Sequence, residues 1–129
     1  MIRILHVEDD RDDATLIRRA LLKQGLECEI THVTSGPDYV AALDKGGFSV
    51  ILSDTGLPGF EGTKALGLAR KKARNVPFLV VSGHLYSEDK IRAFKSAGAT
   101  GCITKAELDC LADAIRIATK STTGGDQRR

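Results

Sequence analysis

The chain has 129 residues, 42% of them hydrophobic and 28% charged, with a net charge of +2. That is the size and composition of one soluble globular domain with room for a substantial core. It excludes a membrane span, which needs an apolar run of ~18 residues, and a strongly basic nucleic-acid binder, since the cluster Arg70–Lys72 with Arg74 reads as a solvated helix end.

The first segment, Ile2 to Val7, is apolar apart from Arg3 and His6 and predicts a strand, so the N-terminus is not expected to be a signal peptide. Three acids follow, Glu8, Asp9 and Asp10. From Asp12 to Gln24 the period becomes helical, with Ala14, Ile17, Ala20 and Leu21 on one face, acids early and bases late, and Gly25 as the stop. Glu27 to Val33 alternates and carries charge, the pattern of a protected sheet edge. Ser35-Gly36-Pro37-Asp38 opens a second helix, which Gly46-Gly47 closes.

Phe48 to Leu52 is a short apolar run that reads as a buried parallel strand. It delivers Asp54 into a loop forced by Gly56, Pro58, Gly59 and Gly62. A helix is predicted over Glu61 to Ala73, weakened at Gly67. Pro77 to Val81 is the fourth strand, ending in Ser82-Gly83. Ser87 to Ala97 is the fourth helix, Thr100 to Thr104 the fifth strand ending at Lys105, and Glu107 to Thr119 the last helix. Residues 1–120 are therefore expected to form the domain, with 121–129 a disordered polar tail. Three cysteines, Cys28, Cys102 and Cys110, lack metal-ligand spacing and are expected to be free, buried thiols in a reducing cytoplasm.

Strand–helix alternation repeated five times predicts an α/β fold: a doubly wound five-stranded parallel sheet in the order 2-1-3-4-5, with five helices on two faces. In that order the first and third strands are neighbours, and Glu8, Asp9 and Asp54 converge at the carboxyl edge. Ser82 and Lys105 arrive there from the fourth and fifth strands. Each has a plainer reading: a turn-starting Asp, helix-capping acids, a simple Ser-Gly turn, a surface lysine. Their joint arrival at one edge favours a shared task. Crowded carboxylates stay ionised when a cation compensates them, and an oxygen-only ligand set selects Mg²⁺ or Mn²⁺. Such a metal with a lysine and a hydroxyl suits a phosphoryl group, with Asp54 as the carboxylate nucleophile.

Four motifs carry a specific resemblance: Val7-Glu8-Asp9-Asp10; Ser53-Asp54 followed by Leu57-Pro58 and Gly62; Val80-Val81-Ser82-Gly83; and Thr104-Lys105. Over about residues 2 to 120 the chain resembles a response regulator receiver domain of two-component signalling. The resemblance implies a cytoplasmic phosphoprotein that takes a phosphoryl group onto Asp54 from a sensor histidine kinase or phosphotransfer protein. It implies Mg²⁺ (or Mn²⁺) held by Asp9, Asp54 and the backbone carbonyl of Gly56, with Glu8 acting through water. Lys105 would contact the phosphate and Ser82 would be the switch hydroxyl. It further implies self-catalysed phosphorylation and dephosphorylation rather than enzymatic turnover, a downstream protein target, a homodimer through the face of the fourth and fifth helices, and no direct contact with nucleic acid or membrane.

Three positions depart from the family pattern. Ala106 stands where a proline is usual after the lysine. Cys102 stands where an aromatic residue is frequent three positions before it. Gly56 offers no side chain beside the site. Without that ring, the Ser82–Ser87 loop becomes the expected route of output. Two other functions compete. An aspartyl-nucleophile phosphatase needs a second acid two residues after Asp54, where Gly56 stands. A receiver that binds partners without phosphorylation has no use for the complete set of acids, serine and lysine.

Overall fold

The computed structural model describes residues 1–54, 62–82 and 88–127. Five strands, β1 (Ile2–Val7), β2 (Cys28–Val33), β3 (Val50–Ser53), β4 (Phe78–Ser82) and β5 (Gly101–Thr104), alternate with helices α1 (Arg11–Lys23), α2 (Gly36–Lys45), α3 (Gly62–Lys72), α4 (Glu88–Ser96) and α5 (Leu111–Gln127). All strand pairs are parallel, in the order β2-β1-β3-β4-β5, as predicted. The alternating, charged strand β2 does lie at an edge.

The strands' side chains alternate between two cores, as a sheet covered on both faces requires. Leu5, Val7, Ile51, Phe78 and Val80 meet Tyr39 and Leu43 of α2, Leu66 of α3 and Phe94 of α4. Ile4, Val50, Leu52, Leu79 and Val81 meet Ile17 and Leu21 of α1 and Leu111 and Ile115 of α5. In the first core the Tyr39 hydroxyl donates to the Ala65 carbonyl at 2.7 Å, tying α2 to α3. Tyr39→Phe removes that buried donor, so a chemical melt should show a loss of about 1 kcal/mol. An unchanged stability would mean that the bond contributes nothing net.

Local chemistry sets the helix ends. Asp10 caps α1, accepting from the backbone N–H of Asp12 and Asp13 at 2.8 and 3.2 Å. Ser35 caps α2. Gly25 and Gly46 follow α1 and α2 with φ of 76° and 72°, a region that glycine enters without a Cβ penalty.

Several boundaries shift. β3 begins at Val50 rather than Phe48, because the Arg3 guanidinium lies over the Phe48 ring at 5.3 Å and the Arg3 N–H bonds the Ser49 hydroxyl. The last helix does not start at Glu107. Residues Lys105–Cys110 form a 3-10 turn in which Glu107 departs from helical angles and its carboxylate accepts from the Thr104 N–H and hydroxyl. From Leu111 the backbone stays helical to Gln127, past the predicted domain end at residue 120. The thiols are free, but not buried as expected. Cys28 and Cys102 are half-buried and Cys110 is exposed, because β2 and β5 are edge strands and the 3-10 turn faces outward.

Candidate functional site

Register builds the site. Val7 pairs with Val33 on one side and Ser53 on the other. The Asp54 N–H bonds the Val7 carbonyl at 2.9 Å, and the Glu8 N–H bonds the Val33 carbonyl at 3.0 Å. The first residue past each strand is thus held beside its neighbour. Carboxylate oxygens of Glu8, Asp9 and Asp54 lie within 4.8 Å of one another. Glu8 is fully buried, Asp54 half-buried and Asp9 exposed. Of the three consecutive acids, Asp10 serves the helix cap, which leaves Glu8 and Asp9 for the cluster.

Lys105 arrives from the end of β5. Its ammonium lies 2.9 Å from Glu8 Oε1 and donates to Asp13 Oδ2 at 2.5 Å. Burial alone would lower its pKa. The hydrogen bonds to Asp13 and Glu8, with the charges of Glu8 and Asp54, outweigh that and raise it to about 12. Ser82 ends β4, buried, in register with Thr104 beside Lys105. Gly56 and the segment from residue 83 to 87 fall outside the described residues.

Burial pushes the Glu8 carboxyl up to about 7; Lys105 opposes this and the nearby Asp54 carboxylate adds to it. A buried acid beside two more, with one lysine ammonium 2.9 Å from it, is short of positive charge. The donors are all oxygen, which fits a hard divalent cation such as Mg²⁺ better than a soft one.

Three contributors escape the sequence reading. Asp13 looks like one more first-turn acid, yet it pairs with Lys105. His32, read only as an edge-strand residue, holds the Glu8 carbonyl at 2.7 Å through Nε2, which must donate because a carbonyl only accepts. Gln24, read only as a helix end, donates to the Leu108 carbonyl at 2.6 Å and accepts from the Ala112 N–H at 2.9 Å. That docks the end of α1 onto the segment that follows Lys105. No local pattern could have revealed these long-range contacts.

The fold has counterparts among known proteins. The sensory transduction protein RegX3 of Mycobacterium tuberculosis is 33% identical over 105 residues, which are 81% of this chain and 44% of RegX3, so this chain spans less than half of that relative. A CheY-like receiver domain protein from Methanospirillum hungatei superposes with a TM-score of 0.80 at 28% identity, covering 97% of this chain and 98% of that one. The receiver domain of a sensor histidine kinase from Pseudomonas aeruginosa, solved with a magnesium ion in its active-site cleft, superposes at 0.74 with 25% identity, covering 92% and 98%. The response regulator receiver domain family matches residues 4–116. The acid cluster at the β1–β3 edge and the lysine after β5 thus lie within that match, and the chain belongs to the response regulator receiver domain family, a signalling domain of two-component systems.

Proposed function

We propose that Asp54 accepts a phosphoryl group from a phosphohistidine of a sensor histidine kinase or phosphotransfer protein. The observation that carries this is the triad of carboxylates at one sheet edge with Lys105 lodged 2.9 Å from Glu8. In the transfer, an Asp54 oxygen forms the new P–O bond. The P–N bond to the donor imidazole breaks, and its electron pair stays on the ring nitrogen. Lys105 would neutralise a phosphoryl oxygen, and the Ser82 hydroxyl would donate to another as the switch group. Mg²⁺, or Mn²⁺, would be held by Asp9, Asp54 and the Gly56 carbonyl, with Glu8 acting through water. When bound, it supplies the charge compensation that brings a dianionic group among these acids. The magnesium in the Pseudomonas receiver supports this assignment.

Output would pass by protein contact to a downstream target in the cytoplasm, with the α4–α5 face available for a homodimer. The reading as a partner-binding module without phosphorylation leaves the acid cluster and Lys105 without a purpose. Acetyl phosphate with Mg²⁺ tests the proposal. Intact mass should rise by one phosphoryl group, peptide mapping should place it on Asp54, and a chelator should prevent it. A label on another residue, or one indifferent to chelation, overturns the assignment.

A further inference from the structure

Lys105 is held by two carboxylates that stand on different elements. Glu8 is buried at the end of β1, and its contact at 2.9 Å places the ammonium beside the triad. Asp13 belongs to the first turn of α1, and its 2.5 Å contact draws the ammonium toward the helix. Both ends of this second contact are anchored. The Asp10 cap fixes the Asp12 and Asp13 backbone, and the Gln24 bonds to Leu108 and Ala112 tie α1 to the segment after Lys105. The pair is largely sheltered, with side-chain exposures of 16% for Lys105 and 29% for Asp13, so solvent screens it less than a surface pair.

We infer that Asp13 is a positioning residue that opposes occupancy of the phosphoryl site by holding Lys105 toward α1. The inference rests on the reading of Asp54 as the phosphoryl acceptor. Two effects point the same way. Asp13 competes for the ammonium that a phosphoryl oxygen needs, and its negative charge lowers the attraction of the site for an anion. Glu8 already keeps Lys105 near the triad, so removing Asp13 frees the lysine without misplacing it. When the site fills, Asp13 loses its share of Lys105, so the first turn of α1 registers the event.

Beryllofluoride with Mg²⁺, titrated by calorimetry, is the test. Asp13→Asn should bind it about tenfold tighter, the effect of one partly buried ion pair. Asp13→Glu should restore the weaker binding. Asp12→Asn removes the same charge from the same turn, at an exposed residue, and should change affinity by less than about twofold because solvent screens it. A second measurement needs no variant: the Asp13 carboxyl carbon of the wild-type protein should shift in NMR when beryllofluoride binds. If the wild type does not bind beryllofluoride, the Asp54 reading falls and this inference with it. If the wild type binds but Asp13→Asn binds equally or more weakly, or the Asp13 carbon stays still, the inference alone is wrong.

Discussion

Asp54→Asn is expected to abolish phosphoryl uptake completely and to raise the thermal stability of the metal-free protein. The two effects have one origin. The Asp54 backbone is held by the Val7 carbonyl at 2.9 Å, so an isosteric amide should occupy the same place. The amide is a poor nucleophile at its oxygen, so acetyl phosphate with Mg²⁺ should leave the mass unchanged. Without metal, Asp54 is one of three carboxylates within 4.8 Å and helps to raise the Glu8 pKa. Its neutralisation removes that repulsion and should add about 1 kcal/mol, a rise in Tm of a few degrees. With Mg²⁺ the order should reverse, because the variant has lost a charged ligand and gains less from the ion. Calorimetric melts in chelator and in Mg²⁺ read both halves. Labelling that survives the substitution, or a metal-free Tm that falls, contradicts the site as described.

The fold was legible because a buried parallel strand has a short apolar signature, which the first, third and fourth segments show, and because the edge strand β2 alternates. The helices declared themselves through period and caps. Boundaries were less legible wherever a side chain competed with the backbone. Ser49 and Phe48 are engaged by Arg3, which delays β3, and Glu107 bonds to Thr104, which delays α5. At the site, residue types and order were sufficient to nominate Glu8, Asp9, Asp54, Ser82 and Lys105 as companions at one edge. What could not be read was the division of labour within the acid run. Whether Asp9 or Asp10 caps α1 depends on where the chain turns, not on composition. The Asp13–Lys105 pair joins residues far apart in the chain, and no local rule selects Asp13 over Asp12. The burial of His6 was likewise hidden. Its place on an inner strand beneath α1, near His32 and Lys105, leaves it neutral with a pKa lowered to about 3, mainly by burial.

Lys105→Met should destabilise the metal-free protein strongly at high pH and little at low pH. Methionine keeps an apolar stem of similar reach and removes the charge. The loss then falls on Glu8, which is fully buried and has Lys105 Nζ 2.9 Å away. Already in the wild type the folded Glu8 titrates near 7 against an ordinary 4.5. The folded state therefore holds this proton more tightly than the unfolded chain. Its contribution to stability is full below the unfolded value and is lost as pH rises through the folded one. Removing Lys105 takes away the interaction that holds the Glu8 pKa down, so the folded value climbs further and the window of loss extends upward. At pH 9 the wild type has an ionised Glu8 compensated by the ammonium. The variant must either keep an uncompensated carboxylate or hold a proton that the unfolded chain would have released. The expected deficit there is about 3 kcal/mol. At pH 5.5 Glu8 is protonated in both folded proteins, and the deficit should shrink to about 1 kcal/mol, mostly the lost contact with the partly exposed Asp13. The raised pKa of Lys105 itself contributes stability that is present below 10.5 and lost only as pH rises toward about 12, so it is constant across this range. Urea denaturation in chelator at the two pH values measures the difference. A deficit of equal size at both would show that Lys105 stabilises the fold by packing rather than by compensating Glu8.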